Sequence, residues 1–391
     1  MLDLHEDTEI LGSQYGNDPY RSVVPPIYLS VAYDYITDDN AVRDDKGRVV
    51  RYSRETNPSL RPLEKAVAAL EGADDALAFS SGMGAIAASL LALLKRGARI
   101  LTLKEMYGVT IQLLQDLLNL VGGSLVKVYP STEEVINELA GGKYDVAVLE
   151  VMTNPTLKVI DLREIGRAAK EAGTKLIVDN TFTTPLLVRP LRLGASVVVH
   201  SSTKYLAGHN DVVGGIAAAG GPEVKDLYEW RRKLGTVQPP FEAYLTYRGL
   251  KTLSLRFERQ SRTAMALAEF LHDCSKVAAV YYPGLPDSPY HGVASGLFER
   301  PLYGGVLSFT LRGGPEAALR LVKALRVARV APSLGGTETL VTLPAFTASS
   351  HISPEERRAL GIEESLIRVS VGLEDEGDLV EDFGKALGAI S

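Results

Sequence analysis

The chain has 391 residues, of which 46% are hydrophobic and 23% are charged, enough for two folded domains. Its formal net charge of −6, with no cluster of basic residues, excludes the footprint of a nucleic-acid-binding protein. The single cysteine, Cys274, excludes an internal disulfide and a cysteine-based metal cage, and it predicts a reducing compartment. Met1–Ile10 has no signal-peptide core, and the longest apolar stretch, Ala85–Leu94, is about half of the roughly 20 residues of a membrane span. We therefore expect a cytoplasmic protein without a membrane or nucleic-acid partner.

Three regions are predicted along the chain. They are an N-terminal arm at 1–51, a large domain at 52–249 and a smaller C-terminal α/β domain at 250–391. The arm lacks sustained periodicity and contains Pro25-Pro26, so it needs other surfaces to pack on. The large domain then opens with a helix, since Pro62 suits a first turn and Gly72 a helix end.

Apolar runs alternate with helical segments in the large domain. They predict buried strands at Ala76–Phe79, Arg99–Leu103, Leu125–Tyr129, Val146–Leu149, Leu176–Val178 and Val197–Val199. This alternation predicts a mostly parallel sheet covered on both faces, with ligands at the carboxyl ends of its strands. In the C-terminal region we expect a helix over Leu250–Cys274, a loop over Tyr282–Gly305, and strands at Val306–Leu311 and Leu366–Val371.

A glycine-containing turn, Ser80-Ser81-Gly82-Met83-Gly84, follows the first of these strands and opens a helix. Glycines there let backbone amides approach a phosphate, and the helix N-terminus adds favourable partial charge. The spacing Gly82-x-Gly84-x-x-Ala87 also fits a dinucleotide fingerprint, with Glu105 about 20 residues later as the ribose-binding acid. By itself the turn is compatible with a phosphate-bearing cofactor, with NAD, or with no ligand.

Two residues at neighbouring strand ends favour one cofactor. Lys204 follows the run Val197–Val199, and Asp179 closes the preceding run. A lysine can form a Schiff base with pyridoxal phosphate (PLP), and a carboxylate can pair with the pyridinium nitrogen. The hydroxyls of Ser201 and Thr203 are suitable phosphate donors beside the lysine. Each residue alone is also typical of a solvated strand end or a turn, but together they favour PLP over NAD, which has no use for the lysine.

Three further side chains are candidates for the same site. Tyr107 is either a ring that stacks on the cofactor or a packed core tyrosine, and Asn154 is either a partner of the cofactor's ring hydroxyl or a turn residue. Arg368 lies in an apolar strand, where an unpaired guanidinium is costly to bury, so it should meet an anion. Its planar fork suits the carboxylate of an amino-acid substrate, and a structural salt bridge is the alternative. The six histidines show no spacing of a metal site.

In the order of its motifs, the sequence resembles the Cys/Met-metabolism PLP enzymes, the family of cystathionine γ-synthase, cystathionine γ-lyase and methionine γ-lyase. The matching motifs cover nearly the whole chain and include Val24-Pro25-Pro26-Ile27-Tyr28, Tyr52-Ser53-Arg54, Ser80-Ser81-Gly82-Met83, Tyr107-Gly108, Asn154-Pro155, Val178-Asp179-Asn180-Thr181-Phe182, Ser201-x-Thr203-Lys204-Tyr205, Ser333-Leu334-Gly335-Gly336 and Arg368-Val369-Ser370-Val371-Gly372. The resemblance implies the PLP-dependent transferase fold of type I and a homotetramer built from tight dimers.

The resemblance also implies roles for individual residues. Lys204 and Tyr107 would be catalytic, with Lys204 moving the Cα proton and Tyr107 serving the leaving group, and Asp179 would pair with the cofactor ring. The residues implied to hold the phosphate are Gly82, Met83, Ser201 and Thr203 of one chain and Tyr52 and Arg54 of the neighbouring subunit. Those implied to bind the substrate carboxylate are Arg368, Ser333 and Asn154.

The family's chemistry is elimination or replacement at the γ-carbon of a sulfur amino acid or homoserine ester. As a base, Lys204 needs a pKa of about 7–8 rather than about 10.4, and Arg54 is one cation expected to lower it. Val109, where methionine γ-lyases typically carry cysteine, and the chain length favour cystathionine γ-lyase or γ-synthase; O-acylhomoserine sulfhydrylase and methionine γ-lyase are alternatives. Thr347-Ala348-Ser349 replaces a frequent Met-Thr-His of the family, so local substrate contacts are expected to differ. An NAD-dependent oxidoreductase is the distant alternative.

Overall fold

The computed structural model describes residues 5–12, 18, 20–347, 349 and 352–390. The residues outside this description include Met1–Leu4 and positions 13–17 and 19 of the predicted arm, and also Ala348 and Ser391. Two sheets, of seven and five strands, organise the rest. The predicted α/β architecture, a large mostly parallel sheet with a smaller second one, is confirmed.

The larger sheet has the strand order β1-β7-β6-β5-β4-β2-β3. Its strands are β1 (Asp75–Phe79), β2 (Arg99–Leu103), β3 (Ser124–Val128), β4 (Val146–Glu150), β5 (Lys175–Asp179), β6 (Val197–His200) and β7 (Gly215–Ala219). The six strands predicted from apolar runs are all present, and β7, which was not predicted, runs antiparallel to both of its neighbours, β1 and β6. Its small residues suit close packing, because a Cβ on Gly215 would lie 2.1 Å from the carbonyl oxygen of Ser81.

Helices cover this sheet and the smaller one. They are α1 (Glu6–Gly12), α2 (Arg61–Glu71), α3 (Gly82–Leu93), α4 (Gly108–Val121), α5 (Thr132–Gly141), α6 (Leu162–Ala172), α7 (Thr184–Leu187), α8 (Gly221–Leu234), α9 (Pro240–Leu250), α10 (Leu253–His272), α11 (His291–Leu297), α12 (Gly314–Ala324), α13 (Pro354–Ala359) and α14 (Glu376–Gly388). As predicted, α2 begins near Pro62 and ends at Gly72, which adopts a φ of 66° that favours glycine. Among the described residues, no helix combines the length and the apolar character needed to cross a bilayer.

The smaller sheet has the strand order β10-β11-β12-β9-β8. Its strands are β8 (Val277–Tyr281), β9 (Val306–Leu311), β10 (Arg329–Val330), β11 (Leu340–Thr342) and β12 (Ile367–Ser370). Strands β9 and β12 were predicted, and α10 lies within the predicted helix Leu250–Cys274. The predicted loop Tyr282–Gly305 was wrong in one respect, because it contains the short helix α11. The predicted domain boundaries at 51 and 249 stay predictions.

Three apolar clusters hold these elements together. One surrounds the larger sheet, a second lies between the smaller sheet and helices α10, α12 and α14, and a small third consists of Ile352, Leu360, Ile362 and Leu366. A buried ionic cluster joins the first core to the arm, since Arg61, Arg231 and Arg48 surround Glu64. Burial raises the pKa of Glu64, but these guanidinium groups outweigh it and lower the pKa to about 2.

Candidate active site

A cavity of about 660 Å³ lies at the carboxyl ends of the strands of the larger sheet. The predicted residues that line it are Gly82, Met83, Tyr107, Asn154, Asp179, Ser201, Thr203, Lys204, Ser333 and Arg368. The last two come from the part of the chain that forms the smaller sheet, so both sheets contribute to the wall. Tyr52 and Arg54 are not part of it.

Lys204 lies in the turn after β6, and hydrogen bonds hold both its backbone and the end of its side chain. Its backbone N–H donates to the carbonyl of Ser201 at 3.1 Å, and its Nζ donates to Ser333 Oγ at 2.8 Å. Burial, with a smaller contribution from the positive charge of Arg368, lowers the pKa of Lys204 to about 8. The size of this shift matches the requirement for a base, whereas the expected contribution of Arg54 from a neighbouring subunit stays a prediction. Arg54 of the same chain instead donates to the carbonyl of Arg232 at 2.6 Å.

Asp179 is the last residue of β5, and only one of its two carboxylate oxygens accepts hydrogen bonds from the described residues. Its Oδ1 accepts hydrogen bonds from the backbone N–H of Thr181 at 3.0 Å and from the Thr181 hydroxyl at 2.5 Å. Oδ2 has no hydrogen-bond partner within the described part of the chain. Burial raises the pKa of Asp179, against the hydrogen bonds from Thr181, which lower it. A cationic N–H donor at Oδ2 would therefore stabilise the carboxylate.

Arg368, on β12, is a buried guanidinium without a carboxylate partner. Its Nη1 donates to Asn154 Oδ1 at 3.0 Å, its Nη2 donates to the carbonyl of Ser333 at 2.8 Å, and its Nε is buried without a partner. No acidic side chain of the described residues forms an ion pair with it, so the alternative of a structural salt bridge is wrong. Burial lowers the pKa of Arg368 to about 10. The cavity thus presents a positive charge that an anion would compensate.

The glycine turn after β1 closes one side of the cavity. Ser81 caps α3, since its hydroxyl accepts the N–H of Gly84 at 3.0 Å. A Cβ on Gly82 would lie 2.9 Å from the Cβ of Ser201, so glycine permits the close approach of this turn to the segment before Lys204. The N-terminus of α3, Ser201 and Thr203 therefore meet at one place, which has the donors that a phosphate needs.

Tyr107 precedes α4 and presents its ring to the cavity. Its side chain is 43% exposed, which contradicts the alternative of a packed core tyrosine. Its backbone N–H donates to Oε1 of Glu150 at 2.9 Å. The ring is thus available to a ligand while its backbone is fixed.

The sequence analysis missed one buried acid, Glu150, and assigned the wrong role to another, Glu105. Glu150 ends β4 directly opposite Asp179, and burial together with the charge of Asp179 raises its pKa well above the ordinary range. It could have been found, because it closes an apolar run as Asp179 does. Glu105 is fully buried and pairs with Lys158 at 2.6 Å. Its predicted role as a ribose-binding acid is therefore wrong, and this contradicts the NAD alternative.

Known proteins share this sequence pattern and this fold. The model of the family described as "Cys/Met metabolism PLP-dependent enzyme" matches residues 7–388. The chain belongs to this family. It is therefore a PLP-dependent enzyme of the group that includes the transsulfuration lyases and synthases.

Individual members of the family are similar over nearly the whole chain. Cystathionine γ-lyase of Saccharomyces cerevisiae is 39% identical over 382 residues, which cover 95% of this chain and 94% of that protein. O-succinylhomoserine sulfhydrylase of Pseudomonas aeruginosa is 39% identical over 342 residues, covering 87% and 84%. The structure of cystathionine γ-synthase from Xanthomonas oryzae pv. oryzae superposes with a TM-score of 0.91 at 35% identity, over 99% and 98% of the two chains.

The cavity fits PLP, the cofactor of the family, by three of its own features. Asp179 Oδ2 can accept the ring N–H, the turn before α3 can hold the phosphate, and the low pKa of Lys204, about 8, makes its amine available to the aldehyde. Among the described residues, no group of three or more His, Cys, Asp or Glu side chains could hold a metal ion.

Proposed function

We propose that this enzyme eliminates or replaces a sulfur or oxygen substituent at the γ-carbon of an amino acid, with cystathionine as the first substrate to test. The observation that carries the proposal is the double role of Ser333. Its hydroxyl accepts from Lys204 Nζ at 2.8 Å, and its carbonyl accepts from Arg368 Nη2 at 2.8 Å. The proton-moving amine and the carboxylate receptor are therefore neighbours, as an α-amino acid requires.

Each residue of the site has its own role in this reaction. Bound PLP supplies the electron sink that acidifies the protons next to the amino group. Arg368 binds the substrate carboxylate through its fork, Asp179 keeps the proton on the ring nitrogen, and Lys204 Nζ removes the Cα proton. The pKa of about 8 leaves a useful fraction of Lys204 uncharged near neutral pH. A second deprotonation, at Cβ, supplies the electrons that break the bond from Cγ to its substituent, and Tyr107, on the open side, transfers a proton to the leaving sulfur or oxygen.

The phosphate site is proposed to be shared between subunits. The amides of Gly82 and Met83 and the hydroxyls of Ser201 and Thr203 would hold the phosphate from one chain. Tyr52 is 42% exposed and lies outside its own chain's cavity, as does Arg54, so both would reach the cavity of a second copy in a dimer-based homotetramer. The cytoplasmic location predicted from the sequence is part of the same proposal.

A labelling experiment tests the cofactor assignment. Borohydride reduction of the holoenzyme should fix PLP on the peptide that contains Lys204 and remove the visible absorption. Lys204→Ala should abolish turnover, whereas Lys95→Ala, at an exposed lysine, should change neither result. Label on another lysine, or undiminished turnover of Lys204→Ala, would contradict the assignment.

A substrate panel tests the reaction class. Cystathionine, methionine and an O-acylhomoserine with cysteine or sulfide are supplied in turn, and 2-oxobutanoate and thiol or thioether products are measured. Release of 2-oxobutanoate indicates elimination, and a new thioether or thiol amino acid without it indicates replacement. Turnover of none of these compounds by PLP-loaded enzyme would refute the proposed chemistry.

Subunit mixing tests the shared site. Chains with Arg54→Ala and chains with Lys204→Ala are unfolded together and refolded as mixed oligomers. If Arg54 acts across the interface, the mixture regains part of the activity that both variants lack, because some sites then combine an intact Lys204 with an intact Arg54. A mixture that stays inactive would show that both residues act within one chain.

A further inference from the structure

The buried Glu105–Lys158 pair lies next to the cavity without lining it. Glu105 Oε1 accepts three hydrogen bonds, from Thr153 Oγ1 at 3.0 Å, Thr156 N at 2.8 Å and Thr156 Oγ1 at 2.6 Å. These two threonines flank Asn154, whose side chain accepts from Arg368. Glu105 therefore fixes the loop that orients the carboxylate receptor.

Lys158 connects this loop to a different part of the chain. Its Nζ donates to Glu105 Oε2 at 2.6 Å, to Thr156 Oγ1 at 2.5 Å and to the carbonyl oxygen of Leu360 at 2.7 Å. Leu360 is the residue that ends α13, where backbone carbonyls have no partner within the helix. A buried ammonium group thus holds the end of α13 against the larger domain.

Helix α13 needs such an anchor because its own packing is small. Its flanking residues Ile352, Leu360, Ile362 and Leu366 form the third apolar cluster, which is separate from both main cores. The chain before this helix contributes Thr347 to the cavity wall. The position of α13 therefore affects one wall of the site, and the position of the Asn154 loop affects another.

We propose that Glu105 and Lys158 are a positioning pair that couples the substrate-carboxylate site to the docking of α13. The inference rests on the proposed role of Arg368 and Asn154 in binding the substrate carboxylate. The pair acts through the loop and the helix and does not touch the reacting atoms. Its loss is expected to weaken amino-acid binding while leaving the PLP site, which uses other residues, intact.

A double variant, Glu105→Gln with Lys158→Met, tests the coupling in the holoenzyme. It leaves no unpaired charge, and the Gln amide oxygen keeps an acceptor for Thr156 N, but the contact with the Leu360 carbonyl is lost. Glycine is the binding probe, because it has the carboxylate and amine of a substrate and no γ-substituent; its Kd is read from the visible spectrum. We expect this Kd to rise about tenfold, with faster amide exchange confined to residues 352–362.

The control removes a second contact to the same helix. Lys127 and Glu356 form an ion pair at 3.9 Å with both side chains over a third exposed, so Lys127→Met should leave glycine binding and exchange unchanged. An unchanged glycine Kd in the double variant would overturn the inference. So would faster exchange across the whole chain, which would show a purely structural pair. Arg368→Met separates the two proposals. If neither Arg368→Met nor the double variant weakens glycine binding, the proposed role of Arg368 has failed. If Arg368→Met weakens glycine binding and the double variant does not, only the coupling has failed.

Discussion

Replacement of Arg368 by methionine is expected to weaken catalysis strongly and to change stability only a little. Burial lowers the pKa of Arg368 from 12.5 to about 10, so the folded state disfavours its charged form. About 2.5 pKa units correspond to roughly 3 kcal/mol of stability lost at neutral pH. Methionine removes this cost, but it also removes two hydrogen bonds from a charged donor, which are worth roughly 1.5–3 kcal/mol each. The two contributions roughly offset each other, so the free energy of unfolding should stay within about 2 kcal/mol of the parent value.

The same substitution should act strongly on the reaction. Removing one partner of a buried, hydrogen-bonded charge pair costs roughly 2–5 kcal/mol in binding. This range corresponds to a fall in kcat/KM of roughly 30-fold to 5,000-fold. We expect the fall to appear mainly in KM, because the carboxylate is bound in both the ground state and the transition state.

Arg231→Met is the matched control, since Arg231 is also buried but has a carboxylate partner. Its Nη1 lies 2.6 Å from Glu64 Oε1, and breaking such a pair costs roughly 3–5 kcal/mol. Thermal unfolding and steady-state kinetics on both variants should therefore show a much larger loss of stability for Arg231→Met. The reasoning is refuted if Arg368→Met loses as much stability as Arg231→Met, or if its kcat/KM stays within about threefold of the parent value.

Three further outcomes are expected. The rate at which PLP attaches to the apoenzyme should rise with pH to a midpoint near the Lys204 pKa of about 8, and a midpoint near 10.5 would contradict the burial of its amine. The pKa of Glu64 is lowered from 4.5 to about 2, so its carboxylate stabilises the fold above pH 4.5. Roughly 3 kcal/mol of the free energy of unfolding should be lost as the pH falls from 4.5 to 2. Glu64→Gln should reduce this pH dependence, as measured by urea unfolding. Gly166→Ala, whose Cβ would lie 1.7 Å from the carbonyl oxygen of Leu193, should lower the melting temperature, whereas Gly141→Ala, with nothing within 4 Å, should not; equal effects would contradict the packing.

Much of the fold was predictable because apolar runs and caps are local signals. Strands β2 and β9 have the predicted bounds, and α2 ends at Gly72, as predicted. Strand β7 escaped prediction because Gly-Ile-Ala-Ala-Ala has little β-propensity, and its place is set by the close packing against the turn after β1.

Ten of the twelve predicted site residues line the cavity, but the electrostatics of the site could not be predicted. Lys204, Asp179 and Arg368 follow or occupy apolar strands, so their burial could be inferred. The size of the shift in the Lys204 pKa could not be inferred, because it depends on how completely the fold buries the amine and, to a smaller extent, on Arg368, which is far along the chain. The partner of Glu105 could not be predicted either. Its distance in sequence from the glycine turn is that of a ribose-binding acid, but its side chain forms a buried ion pair with Lys158.

The strand order also bears on how the protein is made. Within the described residues, β1 pairs with β7 as its one neighbouring strand, and β7 is the last strand of the larger sheet to leave the ribosome. Until Ala219 has been synthesised, β1 and the glycine turn that follows it have no sheet to join, so an apolar edge stays open during translation. Such long-range pairing is slow to form. We therefore expect nascent chains that stop before β7 to require chaperones and to be unable to retain PLP.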